Sequence, residues 1–168
     1  QKHVKAGRLT YEQLTLFYLY RIYKYELDQN TFLNAIISLN PNVLDQARKL
    51  DQEVKDQGSH LVYGMPILLK DNIDAIPMAT TAGAAAMAQN YPKKSAFIVE
   101  QLRSKGALIL GKVNMSEWAY YFCQGCPVGY SAMGGQTLNP YGRKIFETGG
   151  SSSGSGVAVA ANYAVAAI

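Results

Sequence analysis

Apolar positions recur at helical spacing between Leu14 and Tyr25, where Leu14, Phe17, Tyr18, Ile22 and Tyr25 share one face. Just ahead of them, Thr10-x-x-Gln13 has the form of a capping box, so a helix is expected to start there. A second helix is expected from Asn40-Pro41, because proline is favoured at the first helical position. Val43, Ala47, Leu50 and Val54 make its apolar stripe, and Gly58 its stop. The period then changes. Met65 to Leu69 is a continuous apolar run that ends at Lys70, which fits a buried strand. Residues 72–92 are loop-like and rich in small side chains. Ser95 is expected to cap a third helix, with Phe97, Ile98 and Leu102 inward and Gly106 as its stop.

A second buried strand is expected over Ala107–Leu110, followed by Gly111-Lys112, and Ser116 is expected to cap a short helix reaching Tyr121. Residues 123–150 carry many Gly, Pro and Asn and read as loop, and a loop of that length in a compact domain is usually functional. After the Gly/Ser cluster 149–156, Val157–Ile168 is small or apolar all round, so it should be buried on every face as a helix or a strand. Alternating helices and strands predict an α/β fold with helices against a central sheet.

Charge changes this picture little. Sixteen Lys and Arg against twelve Asp and Glu give a net charge of +4. The basic residues are scattered, whereas a nucleic-acid face needs a concentrated stripe. No apolar run reaches the 18 residues that a membrane helix needs. The expectation is a cytoplasmic protein with no membrane span and no nucleic-acid partner. Cys123 and Cys126 have Cys-x-x-Cys spacing, but a zinc site needs four ligands, and His3 and His60 sit in no ligand pattern. Plain structural cysteines are the favoured reading, with metal or redox roles as alternatives. The chain opens on Gln1 and stops at Ile168 inside an unclosed apolar segment. We therefore expect residues 1–168 to be the N-terminal part of one longer domain. A sheet cut in this way should leave an open edge and promote self-association.

Two features carry candidate chemistry. Gly149-Gly150-Ser151-Ser152 opens a cluster whose glycines permit unusual backbone conformations and whose hydroxyls and amides could line an anion or oxyanion site. A flexible linker would lead into polar sequence, and a P-loop would need Gly-Lys-Ser/Thr after its glycines; neither follows here. Lys70 at a strand end is ordinarily a snorkelling surface residue. To serve as a base near neutral pH, its pKa must fall from about 10.4, which burial would favour and a carboxylate from Asp71 would oppose.

Taken in order, Gly64-Met65-Pro66-x-x-x-Lys70-Asp71-Asn72, Gly111-Lys112-Val113-Asn114-Met115-Ser116-Glu117 and Gly149-Gly150-Ser151-Ser152 resemble the motifs of the amidase signature family. The segment Gly134–Gly142 is similar to the loop before the Gly/Ser motif in some bacterial members. The resemblance implies a mixed β-sheet core flanked by helices on both sides, and a hydrolase of carboxylic amides, working on a small-molecule amide without metal or cofactor. It implies a Ser–cis-Ser–Lys triad in which Lys70 is the base and Ser151 the bridging serine, with a cis bond between Gly150 and Ser151. Gly149, Gly150 and Ser152 would form the loop beside substrate. The nucleophilic serine would lie about two dozen residues after Ser151, past Ile168, so this chain alone should be inactive. Two rival readings remain, a glutaminase-type subunit of a tRNA-dependent amidotransferase and a non-catalytic scaffold. Lys112, Asn114 and Glu117 are expected to fix a sheet end and a helix start.

Overall fold

The computed structural model describes residues 1–53, 60–122 and 125–168. Val54, Gly58 and Cys123 therefore lie outside the described residues.

After a single helical turn, α1 (Lys2–Lys5), the long helix α2 (Tyr11–Glu26) begins at the capping box read from the sequence. Gln13 N donates to Thr10 Oγ1 at 3.0 Å, and Thr10 N donates to Gln13 Oε1 at 3.0 Å. Two further free amides at this end, Tyr11 N and Glu12 N, donate to the Asp51 carboxylate at 2.7 and 3.0 Å. A negative side chain there also complements the helix dipole. The buried stripe is Tyr11, Thr15, Tyr18 and Ile22. Phe17, expected inward, is exposed and packs edge-on against Tyr18 instead.

At the other end of α2 the Glu26 carboxylate accepts Asn34 N and Ala35 N at 2.9 and 3.2 Å. That holds the entry to β1 (Ile36–Leu39), a four-residue strand with no counterpart in the sequence expectations. Helix α3 (Val43–Gln52) starts later than Asn40-Pro41 suggests. The Asn40 side chain accepts Asn42 N, and this turn occupies Pro41 before the helix begins.

Strand β2 (Pro66–Lys70) and strand β3 (Leu108–Val113) are parallel neighbours joined through α4 (Phe97–Ser104). Gly106 ends the α4 region with φ +78, a left-handed conformation that suits glycine. The facing of α4 corrects the expectation. Phe97 is 77% and Ile98 44% exposed, while Val99 is fully buried and Leu102 partly so. In a helix this short, Val99 and Leu102 at three-residue spacing make the stripe that meets the sheet. Ser95 does not cap the helix; its hydroxyl accepts Ile76 N and a donor from Arg103.

With a short last strand, β6 (Ala166–Ala167), the four-stranded sheet has the order β1-β3-β2-β6, with β1 antiparallel to β3 and the other pairs parallel. It is mixed, as expected, and both faces are covered. One core gathers α2, α3 and α5 (Ser153–Ala160) against Leu68, Leu108, Leu110 and Val113. The other places Val99 of α4 on Leu69 and Ile109.

The C-terminal segment departs from the expectation of one element buried all round. Helix α5 begins inside the Gly/Ser cluster, the chain turns at Asn162, and β6 (Ala166–Ala167) then joins β2. Val157, Ala158, Tyr163 and Ala164 are buried, whereas Val159 and Val165 are exposed. The long loop holds a two-strand hairpin, β4 (Tyr130–Ser131) with β5 (Gly135–Gln136). No helix among the described residues is long and apolar enough to cross a membrane.

Candidate active site

Lys70 is the last residue of β2, and its backbone is held from both sides of the strand. Lys70 N donates to Ile168 O at 2.6 Å, and the next amide, Asp71 N, donates to Val113 O at 3.2 Å. In an open α/β sheet the carboxyl ends of parallel strands form the usual ligand crevice. Here the N-terminus of α5 is brought to that end.

Three close contacts bring it there. Gly154 N donates to Asn114 O at 3.0 Å, and Ser116 N donates to Ser151 O at 3.0 Å. Gly154 has no room for a side chain: a Cβ would stand 2.3 Å from Asn114 O and 2.9 Å from Ala35 O. Gly150 is similarly packed, with Tyr120 Oη and Ser116 Oγ at 2.8 and 2.9 Å from where a Cβ would be. Gly154 is thus a site of close approach between backbones and Gly150 one of close packing against side chains, which a linker would not need. Gly149 takes φ +68, and the Gly150–Ser151 peptide bond is cis, as the sequence resemblance implies.

The outcome is a three-residue cluster. Lys70 Nζ donates to Ser151 Oγ at 2.7 Å and to Ser152 Oγ at 2.9 Å. Among the described residues Lys70 forms no ion pair. Burial holds its pKa below the usual lysine value, because a desolvated ammonium is disfavoured. The positive end of α5 beside it acts in the same sense. Such an amine can give up its proton and accept one from a serine hydroxyl.

The other cluster hydroxyls lie elsewhere. Ser155 Oγ donates to Ile168 O, and the Ser153 hydroxyl is buried without a hydrogen-bond partner among the described residues. Neither meets Lys70. Ser152 does meet it, a contact that the reading of Ser152 as loop alone missed; the adjacency of two serines after the paired glycines was the available signal.

Ser116 stands directly before a short 3-10 helix, Glu117–Tyr120, as expected, but its side chain does not cap it. Its hydroxyl accepts Gly129 N at 2.9 Å, and the residues after it form a tight turn in which Trp118, Ala119 and Tyr120 have positive φ. Asn114 is a fully buried hub. Its amide group donates to Asn34 O and Gly135 O and its oxygen accepts Met115 N and Ser131 Oγ, tying the segment before β1 to the hairpin, while its backbone carbonyl meets the start of α5. Glu117 accepts Ala132 N from the hairpin. No group of three or more metal-ligating side chains occurs among the described residues.

The amidase family profile matches residues 13–168. The native peptide amidase of Stenotrophomonas maltophilia superposes with a TM-score of 0.93 at 45% identity, over 99% of this chain and 34% of that one. A probable amidase of Arabidopsis thaliana is 40% identical over 159 residues, 92% of this chain and 30% of its own length. A glutamyl-tRNA(Gln) amidotransferase subunit from Lawsonia intracellularis is 37% identical over 94% of this chain and 30% of that protein. The chain thus spans about a third of the length of these relatives. With the match running from the first turn of α2 through the Lys70–Ser151 cluster to Ile168, the chain belongs to the amidase family.

Proposed function

We propose that this chain supplies the base and the proton shuttle of an amide hydrolase, with Lys70 as base and Ser151 as shuttle. The 2.7 Å contact between Lys70 Nζ and Ser151 Oγ carries the reading. A serine hydroxyl is a poor nucleophile until a base takes its proton. In the proposed relay, neutral Lys70 takes the Ser151 proton while Ser151 takes the proton of the attacking serine. The attacking serine adds to the amide carbonyl, and the relay then runs backward: Lys70 returns its proton to Ser151 as Ser151 gives one proton to the departing amine, leaving an acyl-enzyme that water cleaves. The attacking serine is assigned outside these 168 residues, so the chain by itself turns over no substrate. Gly149, Gly150 and Ser152 flank the reacting group. No metal or cofactor enters the scheme.

A second reading has support in the glutamyl-tRNA(Gln) amidotransferase relatives. In that case the amide would be glutamine and the ammonia would pass to a partner protein. The likeness to a peptide amidase at 45% identity favours the stand-alone hydrolase.

The test is intact mass after fluorophosphonate treatment, on this chain and on the natural gene product that carries it. One adduct on the gene product and none on this chain is expected. An adduct on Ser151, Ser152, Ser153 or Ser155 would move the nucleophile into the cluster and overturn the scheme. No adduct on either would favour a scaffold without catalysis. Ammonia release from glutamine, set against cleavage of aryl amides, separates the two catalytic readings.

A further inference from the structure

Lys112 is fully buried, and so is Asp71, the residue that follows Lys70. Nothing in the proposed relay uses either one. Lys112 Nζ lies 3.4 Å from Asp71 Oδ1 and donates to Ala79 O at 3.1 Å and Thr80 Oγ1 at 3.3 Å. Asp71 Oδ2 accepts Thr81 N and Gly83 N, each at 3.2 Å, and the Thr81 hydroxyl. Among the described residues Lys112 is the one polar partner of Asp71 Oδ1, at 3.4 Å.

The face of the sheet decides what this pair can do. Along β3, Leu108 and Leu110 point into the core that contains α5, and strict alternation would send Lys112 the same way, toward Lys70. The strand does not alternate strictly. Ile67 pairs with Ile109, but Leu68 pairs with Gly111, so Leu110 is an extra residue on β3. A bulge of this kind turns every later side chain to the other face. Lys112 comes to lie opposite Leu69, on the α4 side, and Val113 comes to lie opposite Lys70. Gly111 allows the bulge to pack, because a Cβ there would stand 2.4 Å from Ser38 O in β1.

We propose that the Asp71–Lys112 pair is a positioning device for the Lys70 base: Lys112 holds the Asp71 carboxylate on the α4 face, away from the Lys70 amine. The inference rests on Lys70 serving as the base. A carboxylate free to approach that amine would favour its charged form and keep it protonated. As built, the groups meeting the amine are the Ser151 and Ser152 hydroxyls from the start of α5. Strand β3 presents Val113 beside Lys70, and β6 leads to the Ile168 carbonyl that meets its backbone. On the other face, Lys112 meets Asp71 and feels Asp74 more weakly. Burial pushes the Lys112 ammonium toward neutrality, and Asp71 pulls it back toward charge. Lys112 and Asp71 are therefore positioning residues, acting on the reaction through Lys70.

The experiment follows Lys70 directly. Trace acetylation of Lys70 is read by mass spectrometry across pH in the natural gene product, in Lys112→Met and in Lys112→Met/Asp71→Asn. The Lys70 curve should move to higher pH in Lys112→Met, and the acidic limb of kcat/KM on an aryl amide should move with it. Removing both charges should return both curves to their original positions. A Lys70 curve unmoved in Lys112→Met, or still displaced in the double variant, would overturn the proposal. Should Lys112→Met fail to fold, Lys112→Gln carries the same test, since an amide can still donate to Ala79 O. The displaced and restored curves in a protein that cleaves no amide would support the pair's action on Lys70 and sink the hydrolase reading alone.

Discussion

Lys70 and Lys112 stand on adjacent parallel strands, and each follows an apolar run. Their surroundings differ in depth and in the charge of the groups that meet each amine. Lys70 is half-buried, its amine meets two hydroxyls, and it has no carboxylate partner among the described residues. Lys112 is fully buried, and its amine meets a carboxylate, a carbonyl and a threonine hydroxyl. Burial alone disfavours charge on both. The difference lies in what compensates. With neutral partners, an amine can cycle between its two protonation states, as a base must. A buried carboxylate offsets part of the burial penalty on the charged state, and the pair serves as structure. One bulge at Leu110 separates the two outcomes, because it decides which face of the sheet receives Lys112.

The sharpest way to break the comparison is to remove the Lys70 amine. Lys70→Met keeps the apolar stem and takes away the proton acceptor. On the proposed function, amide hydrolysis by the natural gene product should fall by about 10²–10⁴-fold, the usual worth of a general base. Its stability should hold, because the lost group is a partly desolvated amine without an ion-pair partner. In the unaltered protein kcat/KM should rise with pH through the lowered Lys70 pKa and then level, since only the neutral amine accepts a proton. A variant that keeps full activity would remove Lys70 from the chemistry.

The next largest effect belongs to the other lysine, and it should appear in stability. Asp71→Ala leaves the Lys112 ammonium buried without its counter-charge, a change that costs about 3–5 kcal/mol in comparable cases. The loss should depend on pH with a definite sign. Without Asp71, burial acts unopposed and lowers the Lys112 pKa further in the folded state. The unfolded chain then binds the extra proton, so stability rises with pH between the folded value and the ordinary lysine value. Denaturation at neutral and at alkaline pH reads this: the deficit relative to the unaltered protein should shrink at the alkaline end. A deficit equal at both would mean that Lys112 is not the group left stranded.

How far the comparison was legible beforehand follows from the kind of signal each part leaves. Local signals survived. The capping box at Thr10 and Gln13, the apolar run into Lys70 and the stop at Gly106 each depend on a few adjacent residues. The pairing of Lys70 with Ser151 was legible only through the resemblance of motifs, since nothing local says that residues so far apart in sequence meet. Strand β1 left no clear mark, being four residues long and only partly buried. The inward face of α4 was misread because Phe97 and Ile98 are the more apolar pair, whereas the sheet selects Val99 and Leu102 by geometry. The Asp71–Lys112 pair was out of reach for the same reason on a larger scale. Alternation places Lys112 on the wrong face, and only the register of three strands reveals the bulge that corrects it.

The smallest predicted effect tests whether the comparison is local. Thr10 caps α2, and its hydroxyl and the Gln13 amide close the two ends of one reciprocal pair of bonds. Thr10→Ala removes one bond of that pair while Asp51 still holds Tyr11 N and Glu12 N. Such a substitution should cost about 1 kcal/mol of stability. The α2 cap contributes no group to the contacts of either lysine. The Lys70 acetylation curve in Thr10→Ala should therefore coincide with that of the unaltered protein. If general loosening were enough to shift Lys70, this variant would shift it too, and a displacement seen in Lys112→Met could no longer be assigned to the missing charge. Coincidence in Thr10→Ala together with displacement in Lys112→Met would tie the state of the Lys70 amine to the carboxylate on the opposite face of its own strand.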